Sequence, residues 1–240
     1  MSTATETNPQ PASQPITSRW TRSLGQWTAA AVTILGIVYF LCIVFAALTG
    51  AMTLPPPPWL QTAGGLISLA SCPLLVVLLA AVHADAPPEK HALSLTALGL
   101  TIVFAAFVSI NRFTQFGAVR LTAVGEPGLA WFLPYGERSA MLGLEIAGWG
   151  WFLGLALLTA APLFGGWLRR LCVLYAILGI VAAVGFLLAS PLSVVGFVAW
   201  GFVLFLITGL LAVRFRQGEA LAPPDLPPLA DPIPVSASHH

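Results

Sequence analysis

The side chains that could do chemistry in this 240-residue chain are few, and they flank one connection between two apolar segments. Four of them lie near the end of one segment, and two lie near the start of the next: Ser109, Asn111, Arg112, Gln115, Glu145 and Trp149. An ionisable group inside a membrane span is energetically expensive, so it usually has a partner and often a role. These residues are therefore the candidate binding site.

The spacing of these residues predicts an ion pair. Asn111 and Gln115 are four positions apart and share one helix face. Arg112 lies about five residues, or roughly 8 Å, from the end of its helix, and Glu145 lies about seven residues, or roughly 10 Å, inside the next. Because consecutive spans are antiparallel, the two side chains should meet, directly or through Asn111 or Gln115. Alternatively, Arg112 snorkels to the membrane surface.

Three interpretations of this cluster stay open. In the first, it is a structural clasp, since interhelical hydrogen bonds in membranes contribute about 0.6 to 2 kcal/mol each. In the second, it lines a pocket open to the outside, with the connection 118–137 as its lid. In the third, Glu145 is the acid–base group of an enzyme. No common catalytic motif accompanies it, so we predict no catalytic residues and no cofactor.

The composition indicates a membrane protein. Hydrophobic residues make up 58% of the chain and charged residues 8%, with a mean hydropathy of +0.89. A soluble domain carries about 25% charged residues. The net charge of +1 gives no reason to expect a nucleic-acid partner. The three cysteines lie in apolar segments and are predicted to be free thiols.

Six apolar stretches are long enough to cross a bilayer, which needs about 20 residues. They span residues 28–48, 60–82, 93–117, 138–161, 167–188 and 192–213. Unpaired strand edges are not tolerated in lipid, so the prediction is an all-α bundle of six transmembrane helices over 25–217. The polar tails 1–24 and 218–240 are predicted to be disordered.

Basic residues predict the orientation. With an even number of spans and the amino terminus inside, the inner side holds Arg19, Arg22, Lys90, Arg169, Arg170, Arg214 and Arg216, whereas the outer side holds Arg112, Arg120 and Arg138. An excess of Lys and Arg marks the cytoplasmic side, so both termini should be cytoplasmic.

Two further patterns have a structural and a functional interpretation. Small residues at Gly150, Gly154, Gly179 and Ala183 favour close helix packing within the chain, with self-association or contact with other membrane proteins as the alternative.

The inner connection from His83 to His91 contains two histidines and two carboxylates. We interpret it as a solvated turn, with no metal site, because Pro87 and Pro88 disrupt regular ligand spacing.

The last third of the chain carries a resemblance. An aromatic and glycine-rich segment leads to Pro162–Leu171 (PLFGGWLRRL), and a Gly/Ala-rich segment, the Ser190-Pro191 turn and Arg214-Phe215-Arg216 follow. This order resembles the broad group of bacterial six-span membrane proteins classified as domains of unknown function. The resemblance implies a multi-pass protein of the bacterial cytoplasmic membrane and transfers no functional residue.

The functional expectation follows from the polar cluster and its connection. We expect an integral membrane protein in contact with the lipid bilayer that binds or passes a small amphipathic molecule through an outward-facing pocket. The alternative is a non-catalytic scaffold or accessory subunit of a membrane complex.

Overall fold

A computed structural model describes residues 19–53, 55–119, 121–122, 126–133, 135 and 139–218 of the chain. Throughout these residues the regular elements are helical and no strand occurs. The all-α prediction is therefore confirmed. Most of the two predicted tails, together with Arg120, Arg138 and parts of the connection 118–137, lies outside the described residues.

Six helices in the described part are long and apolar enough to cross a membrane, as predicted, and we number them spans 1 to 6. Their bounds are Arg19–Leu48, Pro58–Ala84, Pro88–Val119, Ala140–Leu163, Gly166–Leu187 and Pro191–Gln217. Span 1 begins earlier than the apolar run, so residues 19–24, assigned to the tail from the sequence, are helical. Residues 19–27 contain no proline, so the helix can extend beyond the hydrocarbon.

Spans 3, 4 and 6 each contain one wide π-helical turn. Span 3 consists of a 3-10 turn Pro88–Lys90, an α-helix His91–Thr114 and a π-helix Gln115–Val119. Span 4 consists of Ala140–Ile146 (α), Ala147–Phe152 (π), Leu153–Ala160 (α) and Ala161–Leu163 (3-10). Span 6 consists of Pro191–Val195 (3-10), Gly196–Val198 (α), Ala199–Val203 (π) and Leu204–Gln217 (α). π turns are rare and occur frequently at functional sites.

The spans pack in a closed ring in chain order. Each span contacts the next, and span 6 returns to span 1. The seam between these two spans is held by a hydrogen bond of 2.8 Å between the hydroxyls of Thr33 and Thr208. One apolar core, which includes Val32, Leu75 and Phe104, fills the interior. Large apolar side chains remain exposed on all six spans, as expected where hydrocarbon is the solvent.

Contacts of Arg22 and Arg214 define one end of the bundle. Arg22 pairs with Asp85 at 3.6 Å and donates to the carbonyl of Gly218 at 3.3 Å. Arg214 donates to the carbonyl of Gly165 at 3.5 Å, which places the start of span 5 there too. We call this the arginine-rich end because it carries Arg19, Arg22, Lys90, Arg169, Arg170, Arg214 and Arg216. The ends of spans 1, 3 and 5 lie at the opposite end.

Candidate functional site

The ion pair predicted from the sequence is present. Arg112 lies in the last turn of the α-helical part of span 3, and its Nη2 donates to Oε1 of Glu145 on span 4. The two side chains are only 9% and 12% exposed. Arg112 therefore points into the bundle and does not snorkel to the surface. The direct contact between Arg112 and Glu145 confirms the predicted ion pair. The two side chains meet because spans 3 and 4 are antiparallel and both residues lie at similar distances from the connection between them.

Glu145 is the centre of a larger network. Its Oε2 accepts a hydrogen bond from Nδ2 of Asn111, and its Oε1 also accepts from Nε1 of Trp149 at 2.9 Å. Gln115 accepts from Nη1 of Arg112 at 2.7 Å. These five residues, Asn111, Arg112, Gln115, Glu145 and Trp149, form what we call the polar cluster. Buried charges are tolerated when they are paired and hydrogen-bonded in this way.

Ser109, the sixth candidate, is not one of the hydrogen-bonding partners of Arg112 or Glu145. It lies close to the Cys72 thiol on span 2, whose electrostatic surroundings also include Arg112 and Glu145. The Cys72 thiol itself donates to the carbonyl of Ser68 at 3.3 Å. Ser109 is thus a neighbour of the polar cluster on the side that faces span 2.

Backbone features place Glu145 and Trp149 toward span 3. The Ser139 hydroxyl caps span 4 by accepting from the backbone N–H of Leu142 at 2.9 Å. The π turn begins two residues after Glu145 and contains Trp149. The Trp149 ring packs edge-on against Phe104 of span 3 at 4.7 Å, and its carbonyl accepts from the fully buried hydroxyl of Tyr175 on span 5 at 2.9 Å. Both the ring and the backbone at this position are therefore fixed from opposite sides.

The sequence reasoning missed Tyr39 as a neighbour of the cluster and counted Tyr135 only as part of the lid. Tyr39 of span 1 interacts electrostatically with Tyr135, Arg112 and Glu145. Tyr135, in the connection between spans 3 and 4, is half-buried, and this partial burial raises the pKa of its phenol; Arg112 opposes the shift and Glu145 adds to it. The available signal was that these are two of only three tyrosines in the chain, each with a polar tip that seeks a partner when buried.

Two buried polar atoms of the cluster, Oδ1 of Asn111 and Nε of Arg112, have no hydrogen-bond partner within the part of the chain that the structure describes. Asn111 is 1% exposed and Arg112 is 8% exposed. Leaving such atoms unpaired costs about 1 to 3 kcal/mol each. The cluster therefore retains one acceptor and one donor that could bind a small polar group.

A cavity of about 220 Å³ lies between the end of span 3 and the connection that follows it, and its described walls include no residue of the polar cluster. Its walls are Thr114, Ala118, Val119, Thr122, Pro127, Gly128, Leu129 and Phe132. Thr114 directly precedes Gln115 of the cluster. We call this space the loop cavity. Gly125 and Pro134, which the sequence analysis counted in the lid, lie outside the described residues, whereas Trp131 is in a short 3-10 turn, Leu129–Trp131, that carries part of the wall.

The small residues of spans 4 and 5 pack against each other within one chain. A side chain at Gly150 would come within 2.6 Å of the Gly179 carbonyl oxygen and 3.4 Å of Ala183, and Gly154 lies against the backbone of Ala176. These surfaces are therefore occupied. Self-association through them stays a prediction, and it would require span 5 to move.

At the arginine-rich end, the rings of His83 and His91 lie against each other at an angle of 52°, with their centres 5.2 Å apart. Nδ1 of His83 lies 2.7 Å from the Ser94 hydroxyl, and Nε2 of His91 lies 3.0 Å from the Ala86 carbonyl. Within the described residues no group of three or more His, Cys, Asp or Glu side chains could hold a metal ion. Both histidines act here as connectors of the turn.

Comparisons of the chain with protein-family models, with curated proteins and with solved structures gave no match. Function therefore has to be argued from the geometry of the polar cluster and the loop cavity.

Proposed function

We propose that this protein binds a small amphipathic molecule in the loop cavity, and that the polar cluster holds the wall of that site in place. The observation that carries the proposal is the cavity itself, which is built by the end of span 3 and the connection after it. Ligand sites are concave and mostly apolar, with few polar groups to orient the ligand.

The chemistry of the walls fits an amphipathic ligand. Val119, Leu129 and Phe132 offer apolar contact, whereas Thr114 and Thr122 offer hydroxyls. The volume of about 220 Å³ is below the roughly 300 to 1,000 Å³ of most drug-sized sites, which favours a short chain with one polar head. The polar cluster supports the site because Gln115, bonded to Arg112, begins the π turn that forms one wall.

A photoreactive analogue of n-octanol, applied to the purified protein in nanodiscs, tests this proposal. Labelled positions should concentrate in residues 114–132. Leu129→Trp should fill the cavity and reduce this labelling to the level of lipid-facing residues. Leu121→Trp is the matched control, because Leu121 is 84% exposed and is not part of the wall. Equal labelling of all lipid-facing spans, unchanged by Leu129→Trp, would contradict the proposal.

A non-catalytic scaffold or accessory subunit is the second candidate. It is favoured by the closed form of the polar cluster, in which Arg112 and Glu145 point at each other and are largely shielded from solvent. In that case the cluster serves only to fix the packing of spans 3 and 4. Octanol labelling would then be scattered, and substitutions at Glu145 would lower folded yield without altering the labelling pattern.

The proposed location is the bacterial cytoplasmic membrane, with both termini in the cytoplasm. The concentration of basic residues at the arginine-rich end supports this orientation. A reporter that is active only in the cytoplasm should be active when it is fused to the carboxyl terminus, and an exported reporter would contradict this orientation. With both termini in the cytoplasm, the loop cavity opens outward, as the sequence analysis expected of a pocket.

A further inference from the structure

A second concave surface lies on span 5, at the arginine-rich end. It has a volume of about 580 Å³ and is lined by Gly166, Arg169, Arg170, Val173, Leu174 and Ile177. We call it the span-5 groove. Arg169, Val173 and Ile177 are spaced four residues apart and follow one stripe of the helix, so the groove runs about 12 Å from basic to apolar residues.

The two arginines of the groove have no acidic partner among the described residues. Arg170 lies over the ring of Trp167 at 5.1 Å, and both arginines are exposed. Asp85, an acidic residue at the same end, is already paired with Arg22. Each guanidinium group offers a fork of donors that matches the oxygens of a phosphate, and both line the same groove. The part of the groove formed by Arg169 and Arg170 is therefore complementary to a phosphate ester.

The part of the groove formed by Val173, Leu174 and Ile177 is suited to a hydrocarbon chain. Leu174 and Ile177 are 43% and 55% exposed, on a face that no other span covers. Trp167 is 71% exposed at the start of the span, where tryptophans anchor helices at the membrane interface. A ligand that spans the whole groove has to carry an anionic head at the interface and a chain in the hydrocarbon.

From this arrangement we infer that the span-5 groove binds an anionic phospholipid of the leaflet that contacts the arginine-rich end. The headgroup phosphate lies against Arg169 and Arg170, and one acyl chain follows Val173, Leu174 and Ile177. Basic pockets on transmembrane helices at the cytoplasmic surface commonly recognise anionic headgroups. This site lies at the other end of the bundle from the loop cavity and does not depend on the function proposed for that cavity.

The test uses the full chain in nanodiscs that contain dioleoyl phosphatidylglycerol and dioleoyl phosphatidylcholine in equal amounts, with retained lipid measured by native mass spectrometry. The wild-type protein should retain phosphatidylglycerol in preference to phosphatidylcholine. In Arg169→Gln/Arg170→Gln the preference should fall about fivefold for each arginine removed, the effect of one basic residue near an anionic surface. The control is Arg19→Gln/Arg216→Gln, which removes the same charge from exposed positions at the same end and should leave the preference unchanged.

Two further arms separate a lipid from its headgroup and from general surface charge. Glycerol phosphate and inorganic phosphate, added in excess, should not displace the retained lipid, because they lack the chain that follows the apolar stripe. Displacement by either would overturn the lipid assignment. Equal loss of preference in the two double variants would also overturn it, since the effect would then reflect net charge alone. Retention of the full preference by Arg169→Gln/Arg170→Gln would overturn it as well.

Discussion

Among the described residues, one ion pair lies toward each end of the bundle, and the two differ in their surroundings. Arg112 and Glu145 meet inside the helical hairpin with side chains 9% and 12% exposed, and Asn111, Gln115 and Trp149 add further hydrogen bonds to them. Arg22 and Asp85 meet at the arginine-rich end at 3.6 Å, with side chains 38% and 5% exposed. In the first pair protein groups replace the water around both partners, whereas in the second pair the arginine keeps part of its water and can be hydrated when Asp85 is removed.

The difference in solvent exposure between the two pairs indicates which of them the packing of the helices depends on. A buried pair is expensive to break, because the remaining charge has no solvent, although replacing both partners by apolar residues is often tolerated. A partly solvated pair contributes little, because water replaces the lost partner. We therefore expect the polar cluster to determine helix packing and the Arg22–Asp85 pair to adjust it only slightly. The predictions below test this contrast.

The largest effect is expected from Glu145→Leu, which leaves Arg112 buried without a counter-ion. The free energy of unfolding should fall by about 3 to 5 kcal/mol. Reversible unfolding in mixed micelles with increasing dodecyl sulfate measures it. The double variant Arg112→Leu/Glu145→Leu should recover most of the loss. Wild-type stability for the single variant would show that the pair does not hold the hairpin.

A smaller loss is expected from Gly150→Ala, which separates spans 4 and 5 beside the cluster. The new Cβ would lie 2.6 Å from the Gly179 carbonyl oxygen, so the backbones have to move apart. Overpacking of this kind costs about 1 to 3 kcal/mol. The matched control is Gly99→Ala, where no atom lies within 4 Å and where the helix should gain stability. Equal unfolding curves for the two variants would contradict the close crossing.

Trp149→Phe isolates one hydrogen bond of the cluster. The aromatic contact with Phe104 is kept, while the bond from Nε1 to Glu145 is lost. Both residues belong to span 4, so the expected cost is about 0.5 to 1.5 kcal/mol, the net contribution of a typical intramolecular hydrogen bond. The same unfolding assay measures the change. If Trp149→Phe is as damaging as Glu145→Leu, the indole contributes more than this one bond.

The smallest effect is expected at the other pair. Asp85→Asn should change the free energy of unfolding by no more than about 1 kcal/mol. The residual effect should shrink as salt is raised, because exposed charges are screened over about 10 Å at 0.1 M ionic strength. The effect of Glu145→Leu should persist at high salt. A large, salt-independent loss for Asp85→Asn would remove the contrast between the two ends.

Much of the architecture and part of the site could be predicted from the sequence. The six spans follow from apolar length, and the pairing of Arg112 with Glu145 follows from equal depth in an antiparallel hairpin. Both are consequences of helix rise and connection order, which a linear pattern contains. The early start of span 1 at Arg19 could not be predicted from hydropathy, since a helix can continue through polar residues outside the hydrocarbon.

The missed features depend on contacts between spans that are distant in sequence or on local backbone widening. Tyr39 reaches the cluster from span 1, far along the chain from Arg112, and no spacing rule relates the two. The π turns at Gln115–Val119 and Ala147–Phe152 have no hydropathy signature. The small residues at Gly150 and Gly179 predicted a close helix contact, and the structure shows which helix supplies it.

The return of span 6 to span 1 has a consequence for biogenesis. The Thr33–Thr208 bond joins span 1 to span 6, so the ring cannot close until span 6 has been synthesised and inserted. A nascent chain that stalls after span 5 presents an open flank, with the hydroxyl of Thr33 limited to its bond with the Ala29 carbonyl. The uncovered face of span 1 is therefore a feature by which membrane proteases and chaperones can distinguish such a chain from the folded protein.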